Sequence, residues 1–204
     1  MKTKDKILQT ALALFNEEGL DNVSLRKIAQ ELGISLGNLT YHYSKRDDIV
    51  YALYLQLVER FDGMMGGLEE GSISLDGLAA FSMLTYDTFY AYRFLMYDFS
   101  RIMRMYPNIR EHYQELTKRR TADTLLLFQA LSELGWLKKE AFPGQFGQIT
   151  RQLTMLADSF LPSAELVYQI PVEQRKEAFA ELVTSFLYPH LTEEGLRQLN
   201  QSVG

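Results

Sequence analysis

Cysteine is absent from the 204-residue sequence, which excludes a disulfide framework, a thiol nucleophile and a thiolate metal site. Histidine is scarce, and His42, His112 and His190 lie too far apart for metal-ligand spacing. No apolar run approaches the ~18 residues needed to cross a bilayer. Polar residues interrupt the apolar N-terminus and no cleavage site follows, which favours an amphipathic helix over a signal peptide. We therefore predict a cytoplasmic protein with no metal, cofactor or membrane partner.

Positive charge is also in short supply, because the chain carries a net charge of −5. That value alone argues against a nucleic-acid partner. However, residues 1–46 contain seven basic and five acidic side chains, which leaves the remainder of the chain at −7. A mildly basic segment on an acidic body fits a DNA-binding domain joined to a domain with another task.

No β-strand alternation persists anywhere, whereas apolar residues recur at helical spacing, so we predict an all-α fold. The N-terminal three-helix unit covers 3–18, 25–32 and 36–42, and Ser44 with Asp47 predicts the capping box of a long fourth helix. The sequence predicts a loop over 66–77. Further helices are predicted over 75–106 with a break at Arg93, over 107–134, over 145–161 with its continuation past Pro162 open, over 171–188, and from Thr192 onwards.

The segment 24–46 has the plan of a helix-turn-helix, in which the second helix enters the major groove of DNA. Ser24 and Ser35 are good N-caps, and Gly33 separates the two helices. We predict that one group of side chains reaches base edges, or in places phosphates, namely Arg26, Leu36, Gly37, Asn38, Thr40, Tyr41 and His42. A second group is placed to bind backbone phosphates, namely Ser24, Lys27, Lys45 and Arg46.

This segment resembles the DNA-binding domain of the TetR family of bacterial transcriptional regulators. The matching positions are Ser24, Ile28-Ala29, Gly33-Ile34-Ser35, Gly37-Asn38-Leu39, Tyr41-His42-Tyr43 and Asp47-Asp48. Thr40 stands where the family usually has tyrosine, Tyr43 where it has phenylalanine, and Arg46 where it has lysine. The match covers about residues 5–50, and Thr40 is the departure expected to alter the DNA sequence that is read.

The resemblance implies a homodimeric regulator, expected to be a repressor, that binds a palindromic operator in double-stranded DNA. It also implies release by a small-molecule effector held in the C-terminal part. We accordingly expect a DNA-binding domain over 1–45 and a ligand-binding and dimerisation domain over 46–204. Two apolar helices near the C-terminus suit a four-helix dimer interface. The residues predicted for this interface are Leu153, Phe160, Phe179, Val183 and Phe186.

Aromatic residues are unusually dense between Phe81 and Phe99, with eight among 19 positions. One interpretation is an ordinary core, in which large rings fill the space between helices. The other is a cavity for an apolar or aromatic effector, with tyrosine hydroxyls supplying polar contacts. The residues predicted for such a cavity are Met83, Tyr86, Phe89, Tyr90, Phe94, Tyr97, Phe128 and Met155.

Two other classes of function are alternatives to the DNA-binding regulator. An all-α enzyme using the aromatic cavity lacks a cysteine, grouped histidines and a glycine-rich phosphate loop. A helical module for protein or membrane-surface binding lacks a strongly basic amphipathic face. The sequence leaves the effector, the operator and the regulated genes undetermined.

Overall fold

The computed structural model describes residues 2–70 and 75–201. Within that part of the chain the secondary structure is helical apart from one isolated β-bridge, between Leu137 and Leu191, and the predicted all-α fold is confirmed. The helices are α1 Thr3–Glu18, α2 Leu25–Glu31, α3 Leu36–His42, α4 Arg46–Glu70, α5 Leu75–Ala91, α6 Arg93–Tyr97, α7 Phe99–Met105, α8 Pro107–Glu133, α9 Gln145–Leu166, α10 Arg175–Leu187 and α11 Glu193–Gln201. None of these helices combines the length and apolar character that crossing a bilayer requires.

Helices α1 to α3 form the N-terminal helix-turn-helix unit, which we call the head. The Ser24 hydroxyl accepts the Lys27 amide at 3.2 Å, and the Ser35 hydroxyl accepts the Asn38 amide at 3.1 Å. These bonds satisfy amides that would otherwise lack partners at each helix start. Gly33, at φ +69°, supplies the left-handed turn between the two helices. Helices α2 and α3 are too short to be stable alone, so they depend on the packing of α2 against both α1 and α3.

The start of α4 is capped differently from the prediction. The Asp48 carboxylate accepts the Ser44 hydroxyl at 2.8 Å and the Lys45 amide at 2.9 Å. These bonds hold the pKa of Asp48 below its usual range. The capping acid is therefore Asp48 rather than Asp47, because the helix begins at Arg46 and its third residue is position 48.

At two other helix boundaries the structure corrects one prediction and answers one question that the sequence had left open. Positions 66–70 belong to α4 and 75–77 to α5, while 71–74 lie outside the described residues, so the predicted loop over 66–77 was too long. Helix α9 continues through Pro162 to Leu166. A proline removes one backbone donor, and the packing of α9 on α6, α8 and α10 outweighs that loss. The predicted break at Arg93 is confirmed, since Tyr92 leaves helical geometry between α5 and α6.

The head shares its apolar core with the rest of the chain, which we call the body. The rings of Phe15 on α1 and Phe94 on α6 lie 5.1 Å apart between centroids. Arg101 on α7 binds Asp21 through two hydrogen bonds of 2.5 and 2.6 Å. Because buried apolar residues run without interruption from α1 into α6, the core does not test the predicted boundary at residue 45, which stays a prediction.

Candidate DNA-binding surface and internal cavity

Helix α3 presents one face to solvent and anchors the other in the head. Leu39 is fully buried beneath it, together with Ile28 of α2. On the opposite face the Tyr41 side chain is 86% exposed, and Asn38 is also exposed. A large aromatic side chain left almost wholly in water gains nothing for the fold, so it is available to a partner.

The Thr40 hydroxyl is already committed within α3. It donates to the Leu36 carbonyl at 3.0 Å or the Gly37 carbonyl at 3.2 Å. The hydroxyl therefore keeps only acceptor capacity for a partner, and its methyl group remains the other feature it offers. The neighbouring ring of Tyr41 lies edge-on to that of His42, with 5.2 Å between centroids.

The basic side chains predicted for phosphates are not equally free. The Lys27 ammonium forms an ion pair with Glu18, and an Arg46 guanidinium nitrogen donates to the Leu20 carbonyl at 2.9 Å. Arg26 and Lys45 are exposed. Arg46 thus ties the start of α4 to the head, and its phosphate role stays a prediction.

Eleven residues were predicted for DNA, and all lie on α2, on α3 or beside them. Those exposed to solvent are Ser24, Arg26, Leu36, Gly37, Asn38, Tyr41 and Lys45. Those that are half-buried are Lys27, Thr40, His42 and Arg46. The structure thus keeps the set together on the head, with the exposed members forming its outer part.

A cavity of about 210 Å³ lies inside the body, between α4, α5, α8, α9 and α10. Its lining is mainly aromatic and aliphatic, with a set of hydroxyl side chains and two charged residues, Arg120 and Asp158. The lining residues are Phe61, Phe81, Ser82, Thr85, Phe89, Tyr113, Thr117, Arg120, Thr121, Thr124, Leu127, Phe128, Thr150, Leu153, Thr154, Ala157, Asp158, Phe179, Val183 and Leu187.

Only two of the residues predicted for a ligand, Phe89 and Phe128, line this cavity. Those outside the lining are Met83, Tyr86, Tyr90, Phe94, Tyr97 and Met155. Phe94 packs on Phe15 of the head, and Met155 is 63% exposed. The cause is simple: a helix turns its residues in all directions, so only one side of the aromatic segment faces the cavity. Ligand contact by any of the eight residues stays a prediction.

The tyrosines of the aromatic segment have contacts elsewhere. Tyr86 stacks on Tyr90 with 5.7 Å between centroids, and the Tyr97 hydroxyl donates to Glu165. Burial raises the pKa of Tyr86 and of Tyr97 to about 12, so both stay neutral donors. The tyrosine that does line the cavity is Tyr113, on α8.

The residues predicted for the dimer interface mostly point inward. Leu153, Phe179 and Val183 line the cavity. Phe160 is buried, with its ring centroid 5.0 Å from that of Phe179, and Phe186 is half-buried. Periodicity had identified an apolar face on each helix correctly, but it does not say whether that face meets the same chain or a second copy.

The polar part of the cavity centres on Asp158. The Tyr113 hydroxyl donates to one Asp158 carboxylate oxygen at 2.6 Å. Burial raises the pKa of Asp158 to about 6, although the hydrogen bond from Tyr113 and the charge of Arg120 act in the opposite direction. Burial and the nearby carboxylate raise the pKa of Tyr113 well above its usual value.

Asp158 and Tyr113 were missed in the sequence, although one signal was present. Asp158 follows Thr154 by four residues and Thr150 by eight, so it lies on the inward stripe of α9. An acid on an otherwise inward-facing stripe is rare unless it has a partner or a function. Tyr113 carries no comparable signal, because its role depends on α8 meeting α9.

Two of the histidines have ordinary hydrogen-bond partners. His112 Nδ1 lies 2.9 Å from the Tyr54 hydroxyl, and His190 Nδ1 lies 3.4 Å from the Gln145 amide nitrogen. Among the residues that the structure describes, no three acids or histidines come together as a metal site. The candidate functional sites in the described part of the chain are therefore the exposed face of α3 and the cavity.

Comparisons with known proteins match the chain almost from end to end. The family model for bacterial regulatory proteins of the tetR family matches residues 7–53, and the model for a bacterial transcriptional repressor matches 56–199. An HTH-type transcriptional regulator of Staphylococcus aureus (strain USA300) is 31% identical over an alignment of 90 residues that covers 40% of this chain and 49% of that protein. The chain thus spans about half the length of the curated relatives it matches.

Solved structures share the whole fold. A TetR-family transcriptional regulator from Marinobacter aquaeolei VT8 has a TM-score of 0.86 and 26% identity, covering 100% of this chain and 98% of the other. A putative transcriptional regulator from Saccharomonospora viridis, in complex with choline, has a TM-score of 0.72 and 20% identity, covering 93% and 97%. The chain therefore belongs to the TetR family and is a DNA-binding transcriptional regulator.

Proposed function

We propose that this protein is a homodimeric repressor that binds a palindromic operator through α3 and is released when a small molecule fills the internal cavity. The observation that carries the proposal is the exposed face of α3 with Asn38 and Tyr41. An asparagine amide pairs well with an adenine edge, and a tyrosine reaches either a base or a phosphate. The DNA-binding residues predicted from the sequence form the contact surface of this proposal.

A dimer is needed because one α3 reads only one half-site. Two half-sites lie about 34–36 Å apart on one face of B-DNA, and a twofold dimer presents two reading helices at that spacing. The body exposes apolar residues that suit the contact: Met155 and Leu166 of α9 lie three turns apart on one face. Ser159 and Pro162 lie between them, and small side chains there let another helix approach closely.

Helix α10 adds Leu182, which is 40% exposed, beside α9. We therefore place the dimer contact on the outer faces of α9 and α10 rather than on the cavity-lining residues of the same helices. A leucine side chain that is fully exposed to water is roughly 1.5–3 kcal/mol less favourable than one that is fully buried. Pairing these faces therefore stabilises the dimer.

Release by a ligand requires a connection between cavity and head, and Asn16 of α1 provides one. Its amide nitrogen donates to the Ala91 carbonyl at 2.8 Å, and its amide oxygen accepts the Phe94 amide at 3.1 Å. Ala91 ends α5 and Phe94 belongs to α6, so Asn16 bridges the break between them. Since α5 lines the cavity, a ligand that shifts α5 also shifts α1 and the spacing of the two heads.

The direct test is binding of the purified protein to DNA from its own promoter neighbourhood, measured by fluorescence anisotropy at low and moderate salt. We expect saturable binding with an affinity that falls steeply with salt, as phosphate contacts require. Absence of binding to every such fragment at both salt concentrations would contradict the proposal.

Tyr41→Ala is expected to weaken operator binding by about 5- to 150-fold, which corresponds to the ~1–3 kcal/mol of one good base contact. Binding to unrelated DNA should change less than about threefold, because phosphate contacts remain. Tyr168→Ala is the matched control, since Tyr168 is 73% exposed but lies in the body. An equal loss on operator and unrelated DNA would show that Tyr41 binds a phosphate rather than a base.

Asn16→Ala is expected to lower the free energy of unfolding by about 1–3 kcal/mol, because two partly buried backbone groups lose their partner. Hydrogen exchange of the Phe94 amide should accelerate at the same time. The control is Asn22→Ala, whose exposed side chain bonds only the nearby Glu18 carbonyl. Equal effects of the two variants on stability and exchange would rule out Asn16 as the connection.

A further inference from the structure

The cavity contains one carboxylate that forms no ion pair within the part of the chain that the structure describes. The Asp158 carboxylate accepts one hydrogen bond, from Tyr113. No ion pair and no second hydrogen bond to this carboxylate occurs in the part of the chain that the structure describes. A largely buried carboxylate without a cation is costly when ionised, and a positive ligand is one way to offset that cost.

The threonines of the cavity wall reinforce this polarity. Each of five hydroxyls donates to the carbonyl four residues earlier in its own helix, at 2.8–3.0 Å. These residues are Thr117, Thr121, Thr124, Thr150 and Thr154. With the hydroxyl hydrogens committed, only oxygen lone pairs remain for a ligand. The wall therefore offers acceptors at these five positions, which favours a donor or a cation over an anion. The Thr85 hydroxyl, which also lines the cavity, is the exception, because it is buried without a hydrogen-bond partner among the described residues.

Arg120 does not reverse this balance. Its guanidinium binds Asp62 at 2.8 Å, and its central carbon lies 4.0 Å from the centroid of the Phe61 ring. Its charge therefore faces a ring and a carboxylate, and Arg119 binds the other oxygen of that carboxylate at 2.8 Å. Its Nε is buried without a hydrogen-bond partner and is closed off from molecules in the cavity. An anion entering the cavity would meet the Asp158 carboxylate while Arg120 stayed occupied.

The cavity size limits the ligand. A dry apolar cavity of about 150 Å³ accepts a benzene molecule. The 210 Å³ here therefore suits one aromatic ring, or a short alkyl chain, with a small head group. Rings from Phe61, Phe81 and Phe89 line the wall, and aromatic faces attract organic cations as well as apolar groups.

We propose that the effector is a small organic cation whose charged head lies against the Asp158 carboxylate and whose apolar part lies among the phenylalanines. This proposal rests on the cavity being the effector site of the proposed repressor. The ligand class is an amine or a quaternary ammonium compound with about one ring or its equivalent in alkyl carbon.

Binding should depend on pH, because a cation favours the ionised carboxylate. With the pKa of Asp158 near 6 in the free protein, a fixed cation should bind about tenfold more weakly at pH 5 than at pH 7.5. The titratable groups facing Asp158 are Tyr113 and Arg120 of α8 and Tyr54 of α4, which is bonded to His112. A smaller cavity of about 50 Å³ also borders Asp158. Among the described side chains, helices α5, α6, α7 and α10 contribute no acid or base to the lining of either cavity.

Isothermal titration calorimetry of the full chain with three soluble probes of similar size tests the proposal. The probes are benzyltrimethylammonium, neutral 3-phenylpropanol and anionic 3-phenylpropanoate. We expect the cation to bind at least about tenfold more tightly than the other two at pH 7.5. Its permanent charge ensures that any pH dependence comes from the protein.

Asp158→Asn keeps an acceptor for Tyr113 and removes only the charge. This substitution should weaken binding of the cation about 30-fold or more, as the loss of a buried charge partner does. It should also abolish the pH dependence of that binding. In the unchanged protein without ligand, the free energy of unfolding should fall as the pH rises from about 4 to 6, because an acid with a raised pKa stabilises the folded state only while protonated. Asp158→Asn should remove this fall. Asp123→Asn, an exposed acid on α8, is the control for net charge and should change nothing.

Any of three results would overturn the proposal. They are that 3-phenylpropanoate binds most tightly, that the cation and the alcohol bind equally well, or that the Asp158→Asn variant binds the cation as tightly as the unchanged protein. Anisotropy with operator DNA separates this result from the proposed function. Failure of the free protein to bind DNA would overturn the repressor function, whereas the calorimetric comparison would still decide the chemistry of the cavity. Cation binding without release of DNA would overturn the effector role.

Discussion

Replacing Leu182 with aspartate is expected to convert the dimer into monomers that bind the full operator at least about 100-fold more weakly than the unchanged protein. Leu182 is 40% exposed on α10, a helix that packs on α9. Full burial of a leucine contributes roughly 1.5–3 kcal/mol, of which the part still exposed here accounts for roughly 1 kcal/mol, and a twofold interface contains each leucine twice. Placing two carboxylates in the same apolar contact adds a desolvation cost.

The measurement is molar mass by light scattering after size-exclusion chromatography, paired with anisotropy on operators carrying one or two half-sites. The variant should keep its affinity for a single half-site, because α3 is unchanged. The control is Leu126→Asp on α8, where the leucine is 64% exposed. A monomer from Leu126→Asp together with a dimer from Leu182→Asp would move the interface to α8.

Replacing Leu39 with alanine is expected to lower the free energy of unfolding of the head by about 2–5 kcal/mol and to abolish DNA binding at 37 °C. Leu39 is fully buried on α3, which packs on α2, so its removal leaves a cavity as well as losing apolar burial. The two short helices have little stability of their own, so they depend on this contact. The dimer and the internal cavity should survive, because both lie in the body.

Urea denaturation followed by circular dichroism gives the loss of stability, and hydrogen exchange shows whether it is confined to α1 to α3. Leu36→Ala is the matched control on the same helix, since Leu36 is 39% exposed. It should cost less than about 1 kcal/mol. If the two substitutions cost the same, Leu39 does not hold α3 in place.

The head shows how far local rules reach. Ser24, Ser35 and Gly33 act within three residues along the chain, so their capping and turning roles were readable directly. The error at Asp47 and Asp48 is also local: two adjacent acids satisfy the same rule, and the choice depends on where the first helical turn closes. A shift of one residue is within the ordinary uncertainty of a helix start.

The cavity shows where those rules end. Phe89 and Phe128 were predicted for a ligand and line it, whereas Phe94 packs on the head and Met155 lies on the surface. All four are apolar residues on helices, and nothing in the sequence around them distinguishes those that line the cavity from those that do not. Which of them meets the cavity depends on the rotation and the crossing angle of helices far apart in the chain.

By itself the sequence determined the all-α fold, the helix-turn-helix and its outward side chains, and membership of the TetR family. These depend on helical period, caps and motif spacing, which are properties of neighbouring residues. Only the tertiary structure decided that Asp158 meets Tyr113 in an acceptor-rich cavity, that Asn16 bridges α5 and α6, and that Leu182 faces outward. The physical reason is that the face of a helix has no partner until helices distant in the sequence pack together. That packing decides which side chains line a cavity, which form hydrogen bonds and which stay exposed to solvent.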